Sequence, residues 1–176
     1  MITAISPIDG RYASKVSELS ECFSEYALLK NRVKVEVMWL LALCAEPEIA
    51  ECRALTGAEE QKLHNIIADF SPSEAEKIKQ IEAVTNHDVK AVEIYIRESV
   101  EADADLARST EFIHFACTSE DINNTSHALM ISAAREQVIV PALNKIVATL
   151  GQLAAAQANT PMLSRTHGQT ASPTTL

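Results

Sequence analysis

The sequence of residues 118–158 is TSEDINNTSHALMISAAREQVIVPALNKIVATLGQLAAAQA, and this stretch indicates the fold class. Thr118, followed three residues later by Asp121, forms a capping box, which predicts the start of a helix. Apolar residues recur at helical spacing up to about Ala158, so we predict one helix of about 40 residues, or roughly 60 Å. Pro141 should bend this helix rather than end it, because the apolar pattern resumes after it. A helix of this length needs partners, which predicts a helix bundle or an oligomer.

The residues before this stretch also favour helices. After an irregular lead up to about Glu21, apolar side chains at helical spacing predict a helix over about 24–45. The residues of this predicted apolar face are Phe23, Tyr26, Val33, Val37, Leu40 and Cys44. Three capping boxes then predict three shorter helices, and these boxes are Thr56–Glu59, Ser71–Glu74 and Thr85–Asp88. We therefore predict an all-α protein with an N-terminal helical domain at residues 1–110. Residues 111–176 would be the start of a central helix-bundle domain and contain its first long helix.

The last residues predict a break in the helical pattern. Pro161 interrupts it, and residues 163–169 form a short segment without helical spacing. Ser172-Pro173 then predicts the start of another helix, since proline is favoured at the first helical position. The chain ends at Leu176 without a closing element, so we expect the bundle domain to be truncated.

The composition excludes several classes of partner. The formal charge is −9, from 24 acidic and 15 basic residues, and no basic run occurs. Nucleic acids and membrane surfaces attract clustered Lys and Arg, so we expect neither as a partner. No uninterrupted apolar run reaches ~18 residues and no secretory signal leads the chain, so we expect no membrane span. The four cysteines lack metal-binding spacing, which predicts free thiols in a cytoplasmic protein.

Four segments place reactive side chains at helix starts or breaks. They are Gly10-Arg11-Tyr12, Thr85-Asn86-His87-Asp88, His114 to Asp121 and Ser164 to Gln169. Arg11 and Tyr12 could bind a phosphate, and a helix start at Asn86 and His87 offers free N–H groups to an anion. Both segments also have a structural interpretation. The first could be a solvated arginine beside a packed tyrosine, and the second a helix cap that needs no ligand.

The other two segments have structural alternatives as well. Thr118 and Ser119 place two hydroxyls at the start of the long helix, where a carboxylate could accept from both, although capping alone also explains them. His114 could be a half-buried histidine without a chemical role. His167 precedes a glycine in a loop and suits proton transfer near neutral pH, but one histidine is a weak indication. The sequence contains no phosphate-binding glycine loop, dinucleotide motif, zinc spacing or nucleophile elbow.

Four motifs occur in the order found in one known family. They are SPIDGRY at 6–12, TNHDVKAVE at 85–93, FIHFACTSEDINN at 112–124 and SRTHGQ at 164–169. Together they resemble the bacterial adenylosuccinate lyases, a family of the aspartase/fumarase superfamily, and the resemblance covers nearly the whole chain. The Thr-Ser and Thr-His-Gly elements are shared across the superfamily. The Gly-Arg-Tyr lead and the Asn-His-Asp helix start are typical of adenylosuccinate lyase.

The resemblance implies a lyase of purine biosynthesis that uses no cofactor and no metal. The family eliminates fumarate from adenylosuccinate, giving AMP, and from the succinylocarboxamide ribotide intermediate, giving the carboxamide ribotide. A base removes the proton next to a carboxylate, and an acid protonates the departing nitrogen. The family's base is a serine on a loop with a Ser-Ser-x-Met-Pro-x-Lys-x-Asn signature, which this sequence does not contain. Each site also combines residues from three subunits of a homotetramer, so we expect this chain alone to be inactive.

The resemblance also implies roles for individual residues. His167 would be the general acid. The residues that would bind the substrate are Arg11, Tyr12, Asn86, His87, Asp88, Thr118 and Ser119. The residues that would support the site are His114, Thr166 and Gln169. Among these, the Arg11-Tyr12 pair would chiefly hold the phosphate, Asp88 would orient a histidine, and the two helix-start hydroxyls would hold a succinyl carboxylate.

Two alternatives remain open from the sequence. Another lyase of the superfamily, such as argininosuccinate lyase or fumarase, would not need a phosphate contact at Arg11 and Tyr12. A helical scaffold without catalysis would explain the long helix and the capping boxes, but not four motifs in the order of one family.

Overall fold

The structure is a computed structural model that describes residues 2–175, and most of these residues are helical, which confirms the all-α prediction. The helices are α1 (Ser20–Phe23), α2 (Glu25–Ala45), α3 (Gly57–Ala68), α4 (Pro72–Thr85), α5 (Asp88–Val100), α6 (Ser119–Ala134) and α7 (Val140–Gln157). Turns of 3-10 helix cover Ala13–Lys15, Ser17–Leu19 and Leu106–Phe112. The described residues form two compact units, one up to Ala134 and one from Arg135 onward.

Helix α2 is the centre of the first unit, where it packs against α1, α3, α4, α5 and α6. Val33, Val37, Leu40 and Cys44 are buried at a spacing of three or four residues, which confirms most of the predicted apolar face. Phe23 does not belong to this face, because it precedes α2 and is 49% exposed. Full burial of each aliphatic side chain contributes roughly 1.5–3 kcal/mol. Buried side chains from the surrounding helices complete the core: Leu63, Ile78, Val89, Val92, Ile96 and Ile122.

Helices α2 and α3 both begin at a hydroxyl cap, and only the cap of α3 was predicted. The Ser24 hydroxyl accepts a hydrogen bond from the backbone N–H of Ala27 at 3.2 Å. At α3 the predicted capping box is complete, because Thr56 Oγ1 accepts from the N–H of Glu59 at 3.3 Å and Glu59 Oε2 accepts from the N–H of Thr56 at 2.7 Å. These bonds satisfy N–H groups that have no partner inside the helix.

The other two predicted boxes of this region do not form, although α4 begins after Ser71 with Pro72 as its first residue, as predicted. Ser71 precedes α4, but its side chain makes no capping hydrogen bond and instead lies 2.8 Å from the hydroxyl of Ser73. Thr85 is the last residue of α4 rather than a cap of α5. The cap of α5 is His87, whose Nδ1 accepts from the backbone N–H of Lys90 at 3.1 Å. A histidine nitrogen can supply the same acceptor as a hydroxyl, and spacing rules for Ser and Thr do not detect it.

In the second unit, a π-helical turn at Arg135–Ile139 precedes α7. Pro141 lacks a backbone N–H and crowds the turn before it, and a π turn accommodates such a mismatch. Pro141 does not end the helical run, as predicted, and the turn before it is widened to a π helix. None of the described residues of α7 is buried.

By length and composition, the helical run Ser119–Gln157 is long and apolar enough to cross a membrane: it has 39 residues and a window of mean hydropathy 1.5. We expected no membrane span because no apolar run reaches ~18 residues, and polar residues do interrupt this helix. The large apolar side chains of α7 lie on one side, with Lys145 and Gln152 near the opposite side. This two-sided pattern is typical of a helix that packs in a bundle, whereas a helix surrounded by lipid is apolar all round.

The last described residues form a hairpin of β1 (Pro161–Thr166) and β2 (Gln169–Thr175). The prediction of a helix start at Ser172-Pro173 was therefore wrong. Pro173 pairs with Leu163 across the hairpin. Proline is tolerated there because each strand of a two-stranded sheet has a free edge, where no N–H is needed.

Candidate functional site

Arg11 and Tyr12 lie in the irregular lead of the first unit. The guanidinium carbon of Arg11 is 5.4 Å from the centre of the Tyr12 ring, a cation–π contact. The backbone N–H of Tyr12 donates to the carbonyl of Pro7 at 2.8 Å, which folds the lead into a turn. Both side chains are exposed, so the guanidinium and the phenol are open to a ligand.

Asn86 and His87 form the whole connection between α4 and α5. Asn86 has a left-handed backbone, with φ of 51°, and its N–H donates to the carbonyl of Glu82 at 2.8 Å, which ends α4. His87 then caps α5 through Nδ1. Because Nδ1 accepts this hydrogen bond, the proton of the neutral ring is on Nε2. The segment therefore offers an N–H donor from an exposed imidazole.

Asp88, the first residue of α5, is bound by a buried arginine of α2. Arg32 is 7% exposed, and its Nη2 donates to Asp88 Oδ2 at 2.5 Å while its Nε donates to Asn123 Oδ1 at 2.9 Å. Burial raises the pKa of Asp88, but the N–H of Val89 and the charge of Arg32 together bring it below its ordinary value of 3.8. The carboxylate is therefore ionised at neutral pH, and Arg32 ties the start of α5 to α6.

His114 is bound by a buried carboxylate of α2, the helix that also contains Arg32. Its Nδ1 lies 2.6 Å from Oε1 of Glu36, which is 0% exposed. His114 has a left-handed backbone, with φ of 63°. The neighbouring carbonyl of Phe115 accepts from Trp39 Nε1 at 2.8 Å, so α2 holds this loop at two points. Desolvation raises the pKa of Glu36, and the hydrogen bond with His114 opposes that rise.

Thr118 and Ser119 stand at the start of α6, as predicted. The N–H and the hydroxyl of Thr118 both donate to Asp121 Oδ2, at 2.7 and 2.8 Å. The Thr118 hydroxyl is therefore already a donor within the protein. These two hydrogen bonds lower the pKa of Asp121, and the bond from the backbone N–H has the larger effect. Ser119 is half-buried in the first turn of α6, where the free helix N–H groups point.

An apolar groove of about 610 Å³ lies next to this helix start. Its lining includes Trp39, Cys117, Asp121 and Leu129. Burial, followed by the charges of Glu36 and Asp121, raises the pKa of the Cys117 thiol, which makes it a poor nucleophile. None of the predicted substrate-binding residues lines the groove, so it is not part of the predicted site.

His167 lies in the second unit, at the tip of the hairpin. His167 and Gly168 have φ of 49° and 73° between the paired residues Thr166 and Gln169. Positive φ at both central residues is the backbone of a type I′ turn, which matches the twist of a two-stranded hairpin. The turn directs an exposed imidazole to solvent, flanked by the two other predicted site residues of this segment.

One group of carboxylates has the spacing of a cation site. The carboxylate oxygens of Glu59, Asp103 and Asp105 lie within 4.8 Å of one another. Arg53 donates to Glu59 at 2.5 Å and to the backbone carbonyl of Asp105 at 2.7 Å, and Lys62 forms an ion pair with Asp103. Two of the three carboxylates are therefore already paired with a side-chain cation, so the group gives no support for a metal.

Comparison with known proteins identifies the family. A sequence profile described as "Lyase" matches residues 10–176. The chain belongs to this lyase family. It is 52% identical to an adenylosuccinate lyase of Vibrio cholerae, 51% to one of Escherichia coli K12 and 48% to one of Dictyostelium discoideum, in each case over 99% of this chain. The resemblance in the four motifs is thereby confirmed. The chain spans 38% of the length of these relatives.

Arg32 and Glu36 are the residues of this lyase-family chain that the sequence analysis missed. They are one helical turn apart and contact three segments that contain predicted site residues: Asp88, the His114 loop and Asn123 of α6. A signal was present in the sequence, because both charges fall within the apolar stripe of α2 beside Val33 and Val37. A charged side chain on a buried face needs a partner, and that requirement would have singled them out.

Proposed function

We propose that this chain is the N-terminal part of an adenylosuccinate lyase, which eliminates fumarate from adenylosuccinate and from the succinylocarboxamide ribotide intermediate. The observation that carries the proposal is the similarity to relatives of that name, 52% and 51% identity for two of them, over 99% of the chain. The products would be AMP and the carboxamide ribotide. The reaction is a β-elimination that needs a base and an acid but no cofactor.

In this proposal His167 protonates the departing nitrogen, and Thr166 and Gln169 flank it. An exposed imidazole at the tip of a tight turn can reach a ligand, and histidine is the side chain that most often transfers protons in catalysis. The base would be a serine of the longer polypeptide, since the family's serine-loop signature does not occur in residues 1–176. The chain alone would therefore bind parts of the substrate without turning it over.

The substrate-binding residues would act through charge and hydrogen bonding. Arg11 would hold the phosphate bidentately with help from the Tyr12 hydroxyl. Asn86, His87 and Asp88 would line the site at the start of α5, with Asp88 kept ionised beside Arg32. Thr118 and Ser119 would hold a succinyl carboxylate at the start of α6, where the helix dipole favours an anion, and the Thr118 hydroxyl would turn from Asp121 to the substrate. His114 would support the site from the adjacent loop.

We also propose that the whole protein is a cytoplasmic homotetramer built on its long helices. Residues 1–110 would form the N-terminal domain, and the bundle domain would begin at 111. Support comes from α7 and the π turn before it. Their large apolar side chains follow a spacing of four and three residues and are 45–59% exposed: Ile139, Leu143, Ile146, Leu150 and Leu153. This is the repeat of a helix that packs against other helices. Neither a nucleic acid nor a membrane is required as a partner.

The proposal is tested by joining this chain to the part of a relative that it does not cover. We would fuse this chain to the remaining part of the Vibrio cholerae relative and compare the fusion with the chain alone, measuring fumarate release from adenylosuccinate and from argininosuccinate. We expect the fusion to cleave only adenylosuccinate and the chain alone to cleave neither. A folded fusion that cleaves argininosuccinate instead, or turnover by the chain alone, would contradict the proposal.

The role of His167 is tested in the same fusion. His167→Ala should lower kcat by roughly 10²–10⁴, the scale of lost general acid–base catalysis, and change KM little. His127→Ala is the matched control, since His127 is exposed on α6, and its kcat should stay unchanged. A kcat for His167→Ala within the range of the control would remove this residue from the role of the acid.

A further inference from the structure

The carboxylate of Glu36 has only one compensating partner in the part of the chain that the structure describes. Its side chain is 0% exposed, and Oε1 lies 2.6 Å from Nδ1 of His114. The second oxygen, Oε2, is buried without a hydrogen-bond partner among the described residues. A buried carboxylate is costly unless it is hydrogen-bonded. A position this unfavourable for a charge, in the middle of an apolar stripe, requires an explanation beyond stability.

His114 has a second unfavourable feature at the same place. Its φ of 63° lies in the left-handed region, which is unfavourable for a residue with a Cβ. Ala116, two residues later, also has a left-handed backbone, with φ of 61°. Backbone strain of this kind persists only where the surrounding contacts impose it, and it is concentrated at functional sites. Here the imposed contacts come from α2, through Glu36 to the ring and through Trp39 to the carbonyl of Phe115.

The hydrogen bond determines which ring nitrogen remains for a ligand. With Nδ1 bound to the buried carboxylate, Nε2 is the ring nitrogen of His114 without a partner among the described residues. The His114 side chain is 17% exposed, so the ring is neither enclosed nor free to rotate in solvent. His87 shows the opposite arrangement, because its Nδ1 accepts from the backbone of Lys90 and its proton is then on Nε2. If Glu36 is ionised, it accepts from a protonated Nδ1, and the two histidines are then in different tautomers.

We propose that Glu36 is a positioning residue that keeps the proton of His114 on Nδ1 and presents Nε2 of that ring to the substrate. The proposal rests on the proposed lyase function, because it assumes that the His114 loop faces the substrate. A residue that hydrogen-bonds the other ring nitrogen of a site histidine orients the ring and selects its tautomer. Loss of such a residue lowers activity although the histidine itself remains. Arg32, one turn earlier, would place Asp88 in the same way through an ion pair.

The first test uses this chain alone and does not depend on lyase activity. Nitrogen-15 NMR of the imidazole rings distinguishes a protonated Nδ1 from a bare one. We expect His114 to carry its proton on Nδ1, to keep it there in Glu36→Gln, whose amide oxygen still accepts, and to lose this preference in Glu36→Leu. Two exposed histidines, His64 and His127, serve as internal references that should not change. A bare Nδ1 in the unsubstituted chain would overturn the proposal, since Glu36 would then be the donor.

Folding is not expected to obscure this result. Glu36→Leu removes a buried oxygen that has no partner among the described residues, and the ring that it leaves behind is 17% exposed, so a neutral imidazole there leaves no buried unpaired charge and the variant should fold. Glu36→Gln is nearly isosteric and keeps an acceptor for the ring, so it provides a second variant that should fold even if Glu36→Leu does not. Dispersed backbone amide signals in both variants would establish that the ring signal reports the tautomer of a folded chain.

The second test measures the consequence in the fusion with the rest of the Vibrio cholerae relative. Glu36→Leu should lower kcat/KM by roughly 10–100-fold, the range for residues that orient a site histidine. The same substitution in a His114→Ala background should cause little further loss, because Glu36 acts only through that ring. Equal losses in both backgrounds would mean a general structural role and would overturn the proposal. If the unsubstituted fusion lacks activity, the proposed function fails, while the NMR result still decides the tautomer.

Discussion

At the scale of single residues, several predicted site residues share an uncommon backbone conformation, the left-handed region that usually favours glycine. Within residues 2–175 this backbone occurs at Asn86, His114, Ala116 and His167, with φ between 49° and 63°. Three of these four were singled out by the sequence analysis for their side-chain chemistry alone. The backbone geometry is an independent observation, since nothing in the motif argument depended on φ. Strained residues at the positions of reactive side chains are typical of functional sites.

The left-handed residue at the end of α4 leads to a prediction about stability. Asn86→Gly should leave the free energy of unfolding unchanged or raise it by up to about 1 kcal/mol, because glycine adopts this backbone without a Cβ clash. Asn86→Ala should lower it by roughly 1–2 kcal/mol. Urea unfolding followed by circular dichroism measures both. Asn65→Ala, in the helical backbone of α3, is the control and should cause no loss. Equal stability of the two Asn86 variants would show that the left-handed turn is not required.

The partners of the site residues could be predicted less well than the residues themselves. His114 and Asp88 stand in recognisable motifs, but Glu36 and Arg32 lie 78 and 56 residues away from them in sequence. Hydrophobic periodicity identifies the buried face of α2 without showing which loop packs on it. A buried ion pair depends on that tertiary contact, so single-sequence patterns could indicate only that two charges on this face needed partners.

At the scale of elements, the start of α3 combines a capping box with an ion pair. Glu59 accepts from the N–H and the hydroxyl of Thr56, and both its oxygens accept from Arg53, at 2.5 and 3.1 Å. The hydrogen bond from Arg53, followed by the bond from the Thr56 backbone, lowers the pKa of Glu59 to about 2. The ionised form is therefore favoured in the folded chain more than in the unfolded one. This contribution to stability is present above the ordinary pKa of 4.5 and is lost as the pH falls toward 2.

Glu59→Gln should remove this dependence on pH. At about pH 7 the variant should be less stable than the unsubstituted chain, and the difference should shrink below about pH 4.5 and disappear near pH 2. Glutamine can still complete the capping box, so the difference isolates the charge. Urea midpoints at several pH values give the curve. Glu48→Gln, in the exposed loop after α2, is the control and should follow the unsubstituted chain. A constant difference at all pH values would contradict the assigned cause.

The elements differ in how well their sequences predict them. Helix α2 was predicted from its apolar periodicity and α3 also from its capping box, because both are local properties of the sequence. The cap at His87 was missed, since a histidine nitrogen replaces the expected hydroxyl. The hairpin of β1 and β2 was missed for a different reason. Ser172-Pro173 has the chemistry of a helix start, but the paired left-handed residues His167 and Gly168 reverse the chain and align the two strands.

At the scale of the whole molecule, the two units differ in where their apolar side chains lie. The first unit encloses a core around α2, with Val33, Val37 and Ile96 fully buried. The second unit leaves the stripe of α7 exposed along its length, including Leu143, Leu150 and Val147 at 54%, 59% and 67%. A contiguous exposed stripe of this kind marks a surface for association with other protein. Its heptad spacing favours helices as the partners, and the proposed tetramer would supply them.

Leu150→Glu tests whether this stripe is an association surface. We expect the unsubstituted chain to self-associate, so that light scattering after size exclusion gives a mass above the 19.2 kDa of one chain. Burial of one leucine is worth roughly 1.5–3 kcal/mol, which corresponds to at least a tenfold change in the dissociation constant, and a charge in its place costs more. The variant should therefore elute as a monomer, or dissociate at a concentration at least about tenfold higher.

The control for this prediction carries the same charge on the other side of the helix. Gln152→Glu adds a carboxylate two residues from Leu150 but outside the stripe, so it should leave the association unchanged. If both variants dissociate, net charge rather than packing of the stripe governs association. A monomeric unsubstituted chain would contradict the proposed surface. Flotation of the unsubstituted chain with lipid vesicles, abolished by Leu150→Glu, would instead assign the stripe to a membrane. Because Lys145 and Gln152 make α7 polar on one side, we expect no flotation and association through protein alone.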